Sequence, residues 1–159
     1  MSRKFVVLSL ILMALAFGSI MAPAHAVDTR TIIRGEVIKA RIGAHEGELK
    51  TAYGRITVFA VEERDVARVI VVFNIPEDEM RVLVKLVFVD SVEISSTPVS
   101  IVGHWDVYVN GELFQDDTYG IFHTNWTGLG IDIDEDPTKV DTGHAFIKLK
   151  GSVAGYRYF

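Results

Sequence analysis

The chain has 159 residues, with 16 Lys and Arg against 21 Asp and Glu, a formal net charge of −5 and no cysteine. That length predicts one folded domain. The acidic balance excludes a nucleic-acid binder, whose affinity rests on basic phosphate contacts, and the missing thiols leave the fold to stand on packing alone or on packing plus a metal.

Residues 1–26 read as a secretory signal. Arg3 and Lys4 make a short basic start, Phe5 to Met21 is almost wholly apolar, and Ala24-His25-Ala26 supplies the small-x-small pattern of a cleavage site. The apolar run is near the lower limit for spanning a bilayer, roughly 17–25 residues. The small residues at its end favour cleavage after Ala26 over retention as an anchor. The expected mature domain is residues 27–159, secreted or held at the extracellular surface, with no membrane contact after cleavage. Loss of Arg3 and Lys4 leaves it 14 basic residues against 21 acidic ones. Beyond residue 26 there are three Asn, one Gln and one Met (Asn74, Asn110, Asn125, Gln115, Met80). Depletion of these labile side chains is a thermophile signature.

The mature sequence alternates apolar and polar residues with period two, the mark of β-strands. Thr31–Ile42 and Arg55–Val61 come first. Arg68–Phe73 is a short apolar run, ended by Pro76, which cannot donate to a ladder. In Met80–Asp90, residues Met80, Val82, Val84, Leu86 and Phe88 fall on one face and predict a continuous inner stripe. Val99–Phe114 reads as a hairpin, because Asn110-Gly111 tolerates the positive φ of a tight type I′ turn. In its first strand Trp105 shares the apolar face, while His104, Asp106 and Tyr108 share the other. Tyr119–Thr124, Gly128–Ile133 and His144–Leu149 complete eight or nine strands. Short strands joined by short turns predict an all-β fold, a two-sheet antiparallel sandwich, most simply a jelly roll.

The stretch from Ile131 to Gly143 holds five carboxylates: Asp132, Asp134, Glu135, Asp136 and Asp141. Asp132 and Asp134 share one strand face, about 6.6 Å apart along it. Pro137 implies that the chain curves just after Asp136. Asp134, Asp136 and Asp141 are then candidate calcium ligands, since calcium takes hard oxygens in flexible geometry. The D-x-D-x-D run departs from an EF-hand, with Pro137 where the sharp-turn glycine belongs and Gly143 where the bidentate Glu belongs. A solvated strand end is the competing reading. Use of these acids, or of Asp106, in glycan hydrolysis is weaker, because a polar loop gives no desolvation to raise a carboxyl pKa.

His45, His104, His123 and His144 show no metal-ligand spacing, although His104 and His123 are candidates to face each other across strands. No nucleophilic serine motif or phosphate-binding loop is present. The expectation is therefore a non-enzyme. Asn125-Trp126-Thr127 is a glycosylation sequon, with Asn125 as the acceptor. Trp126, Tyr119, Tyr108 and His104 are candidate members of a sugar-stacking surface, against the alternative that they are ordinary strand aromatics.

Ala52-Tyr53-Gly54, the strand RITVFAV, the segment from Ala67 to Pro76 and the strand VLVKLVFV follow one another in an order that resembles DNRLRE-type jelly-roll domains of bacterial and archaeal surface proteins. The resemblance covers about residues 50–150, departs at HWDVYVNGELF and has Asn74 in place of the usual Asp. It implies a non-catalytic carbohydrate-binding or cell-surface module and transfers no site residue. The leading expectation is thus a secreted β-sandwich module that binds a glycan or surface protein, with calcium as a staple. One alternative is a subunit of an extracellular filament or surface layer, self-associating through the Thr31–Ile42 strand by strand addition. The other is a secreted glycan hydrolase.

Overall fold

The computed structural model describes residues 29–43, 47–95, 99–125, 127–140 and 145–159. Eight strands run in chain order: β1 (Arg30–Ile42), β2 (Lys50–Val61), β3 (Val66–Ile75), β4 (Met80–Ile94), β5 (Val99–Val109), β6 (Glu112–Thr124), β7 (Gly128–Ile133) and β8 (Ile147–Tyr158). Each pairs antiparallel with its sequence neighbour. β8 pairs with β1, from Ile42 opposite Ile147 to Thr31 opposite Tyr158, and closes the barrel.

The fold is therefore all-β, as expected, but it is a single up-and-down barrel and not a two-sheet sandwich or jelly roll. Both architectures need one buried and one solvated face on every strand, so both produce the same alternation. What separates them is the pairing of the first strand with the last. The strands also run longer than expected. Most have ten or more residues, and Tyr119–Thr124 is the second half of β6 rather than a strand of its own. β1 is hydrogen-bonded on both sides, to β2 and to β8. Strand addition through β1 would have to displace one of those ladders.

Inward-facing side chains fill the barrel. Trp105, Phe73 and Phe122 are its largest fully buried members, packed among Ile33, Ile56 and Ile101. Gly120 makes room for the indole, since a Cβ there would lie 2.8 Å from Trp105 Cδ1. The outer surface carries Arg34, Glu36, Arg55, Arg68, Glu93 and Lys150, all exposed. The same surface also exposes Ile38, Phe59, Val66, Val72, Val87 and Leu113, so charged and apolar side chains are mixed over the wall. Among the described residues no helix is long and apolar enough to cross a membrane.

The turns follow local chemistry. Asn110 (φ 53) and Gly111 (φ 90) form the β5–β6 turn with the positive φ values their types allow. Pro137 opens a single helical turn, α1 (Pro137–Val140), so the chain does bend just after Asp136.

Candidate functional site

The outer face of β4, β5 and β6 collects most of the sequence candidates. Successive outward residues of β5 are His104, Asp106 and Tyr108. His104 pairs with Phe88 of β4 and Tyr119 of β6, Asp106 with Lys85, and Tyr108 with Leu83 and Leu113. Three of the four expected ligand-binding residues thus share one surface. The fourth, Trp126, lies outside the described residues, as do Asp141, His45, His144 and residues 1–26 with the expected signal.

Phe88 was expected inside and is 59 % exposed. Two bulges explain the difference. β5 steps from Trp105 to His104 while β4 steps from Leu86 to Phe88, leaving Val87 extra. A second insertion at Asp90 lies between the pairs Val89–Gly103 and Ser91–Val102. One extra residue reverses which face each following side chain takes. The first bulge turns Phe88 outward, and the second returns Val92 and Ile94 to the core. β6 is irregular at the same level. Trp105 and Val107 of β5 oppose Thr118 and Gln115 of β6, one residue too many, with Asp117 at φ 50. Bulges on both neighbours therefore bracket His104.

The His104 ring meets Phe88 edge-on at 5.9 Å between centroids and Tyr119 edge-on at 6.2 Å. Its Nδ1 lies 3.0 Å from the Asp117 carbonyl oxygen. A carbonyl only accepts, so Nδ1 carries the proton. The Asp117 carboxylate is 3.3 Å from Nδ1, and the Asp90 carboxylate is 3.6 Å from Nε2. Asp106 accepts the Asp117 N–H and the Tyr108 hydroxyl, each at 3.3 Å. Lys85 Nζ sits 4.7 Å from the centre of the Tyr108 ring. The cation covers that ring, so Tyr108 is a groove wall and not an open stacking platform. Burial, followed by the charge of Asp106, holds the Tyr108 phenol above its usual range. It stays a hydroxyl donor across the physiological range.

His123 does not face His104. It pairs with Ser100, four residues along β5 from His104. Asn125 is exposed, and its Oδ1 accepts the N–H groups of Thr127 and Gly128 and the Thr127 hydroxyl. The sequon forms a turn at the β6–β7 end of the barrel.

The acidic stretch divides by role. Asp132 faces outward on β7 and ion-pairs across the ladder with Lys148 at 3.0 Å. Asp134 is buried just past the strand end. One of its oxygens accepts the Asp136 N–H at 2.9 Å, and the other accepts the Phe146 N–H at 3.1 Å. Asp136 caps α1 by accepting the Thr138 N–H and hydroxyl. Asp134 and Asp136 thus bind backbone donors of their own loop. Among the described residues no three His or carboxylate side chains converge on a metal position.

The Thr138 hydrogen bonds, more than the charge of nearby Lys139, hold Asp136 below its ordinary pKa of 3.8. A carboxylate with a depressed folded pKa contributes stability above its unfolded value, and loses it as pH falls through the folded value. Melting curves between neutral pH and pH 2 should therefore show wild type ahead of Asp136→Asn at neutral pH. The gap should close below about pH 4. A gap independent of pH would remove this assignment.

Comparison with protein-family models, curated proteins and solved structures returns no match.

Proposed function

We propose that the protein is an exported, non-catalytic β-barrel module that binds a glycan of the extracellular space or cell surface through the outer face of β4, β5 and β6. The observation that carries the reading is the Phe88–His104–Tyr119 set, edged by the carboxylates of Asp90, Asp106 and Asp117. An aromatic side chain joins apolar area to a polar edge. A pyranose presents C–H bonds on its faces and hydroxyls around its rim, so aromatic surface beside fixed acceptors matches both. A few placed polar groups beside apolar surface are what fix a ligand's orientation. Bulges that turn Phe88 outward also agree with a site, since bulges recur where a strand re-aims a side chain. Export is supported by the basic start, apolar run and small-x-small end of residues 1–26.

The test is affinity electrophoresis of residues 27–159 against a broad polysaccharide panel, followed by calorimetry on each binder. Phe88→Ala and His104→Ala should each weaken binding at least tenfold, about 1.4 kcal/mol. Both side chains lie outside the barrel core, so the melting temperature should hold. Absence of any binder, or full affinity in Phe88→Ala, would reject the reading.

A further inference from the structure

The same outer face continues beyond Tyr108 into a groove of about 510 Å³, lined by Val72, Arg81, Leu83, Tyr108, Asn110 and Gly111 among others. A cross-strand row lines it, with Val72 and Leu83 as its floor and Tyr108 as a wall. Val72 of β3 pairs with Leu83 of β4, and Leu83 with Tyr108 of β5. Above the row Lys85 lies over the Tyr108 ring. Beyond it, at the turn, stands Arg81.

Arg81 is held by the turn and unneutralised. Its N–H donates to Asn110 Oδ1 at 2.8 Å, and its carbonyl accepts the Asn110 N–H at 2.7 Å. Those two bonds fix its backbone at the groove's end. Its guanidinium has no ion-pair partner among the described residues. Along this face the carboxylates Asp90 and Asp117 lie beside His104, and Asp106 lies opposite Lys85 in the middle. Among the described residues that line the groove, Arg81 stands alone as a charge at the Asn110-Gly111 end. The six residue steps from His104 to Asn110 span roughly 20 Å, room for several sugar rings.

Resting on the glycan reading above, we infer that the groove is a second subsite, and that it takes a carboxylated sugar, a uronic acid, further along the same chain. The apolar floor receives the ring. The Arg81 fork matches a carboxylate with two parallel N–H donors, and this geometry favours Arg over a point charge. Lys85 adds a second cation on the His104 side. A neutral sugar offers the guanidinium hydroxyl oxygens but no carboxylate to take both parallel bonds. A uronate seated at His104 instead would meet Asp90, Asp106 and Asp117.

The probes are oligogalacturonates and neutral cello-oligosaccharides of equal length, titrated into residues 27–159 at low and at moderate salt. The oligogalacturonate should bind at least tenfold tighter at low salt, with the advantage shrinking as salt rises. Arg81→Gln should bring its affinity down to that of the neutral chain. The melting temperature and circular dichroism of Arg81→Gln should match wild type, which separates loss of the carboxylate contact from loss of the fold. Equal binding of the two chains, or an oligogalacturonate affinity indifferent to Arg81→Gln, would overturn the subsite and leave the glycan reading standing. Failure of both chains to bind, together with an empty polysaccharide panel, would overturn both.

Discussion

Replacing Trp105 by Ala is expected to cost about 3–5 kcal/mol of folding stability, the usual range for deleting a large buried aromatic. Trp105 is fully buried and is the largest side chain in the barrel. It pairs with Leu86 on one side and Thr118 on the other, and Gly120 leaves space for its indole. A barrel wall tied by hydrogen bonds on every strand collapses poorly onto a void, so the cavity should persist. Trp105→Phe should cost much less. It keeps most of the ring volume and removes an indole N–H that has no hydrogen-bond partner among the described residues. Urea unfolding of the three proteins, compared at equal slope, reads the effect. A loss below about 1 kcal/mol in Trp105→Ala would mean that the barrel repacks or that the indole is not its keystone.

Asp134→Ala is expected to cost about 1–3 kcal/mol, because it takes the acceptor away from two partly buried backbone donors. The donors are the N–H groups of Asp136 and Phe146, and Asp134 is 3 % exposed. Asp134→Asn keeps one acceptor oxygen and should fall between wild type and Ala. Since the loop closes on its own backbone, wild type should melt at the same temperature in calcium and in a chelator. A calcium-dependent rise of several degrees, lost in Asp136→Asn or Asp141→Ala, would instead make the loop an ion site, with the binding energy appearing as stability by mass action.

These two residues show what could be read from residue order and what could not. Period-two spacing placed Trp105 inside and put His104, Asp106 and Tyr108 together on the opposite face. Asn110-Gly111 marked its turn, and Pro137 marked the bend. Phe88 escaped, because counting by twos along β4 assumes no insertion, and the bulges at Val87 and Asp90 violate that assumption. No single residue type announces such an insertion. Asp134 escaped for a different reason. A carboxylate in an acidic run looks like a cation ligand until the distant donor, here Phe146, is known. Barrel closure escaped because it depends on one pairing between segments at opposite ends of the domain. The groove beside Arg81 gave no local signal, since Val72, Leu83 and Tyr108 come together only across three strands.

That closing pairing also sets the order in which the molecule can be finished. The ladder between β1 and β8 joins Thr31 to Tyr158, and the Phe159 N–H donates to the Arg30 carbonyl. The first strand to leave the ribosome waits for the last before its second edge is satisfied. Until then a nascent chain presents two open sheet edges, each able to capture a neighbour. Contacts this distant in sequence make folding slow. The same delay makes the partly folded chain's encounter with its own kind the hazard against which closure competes.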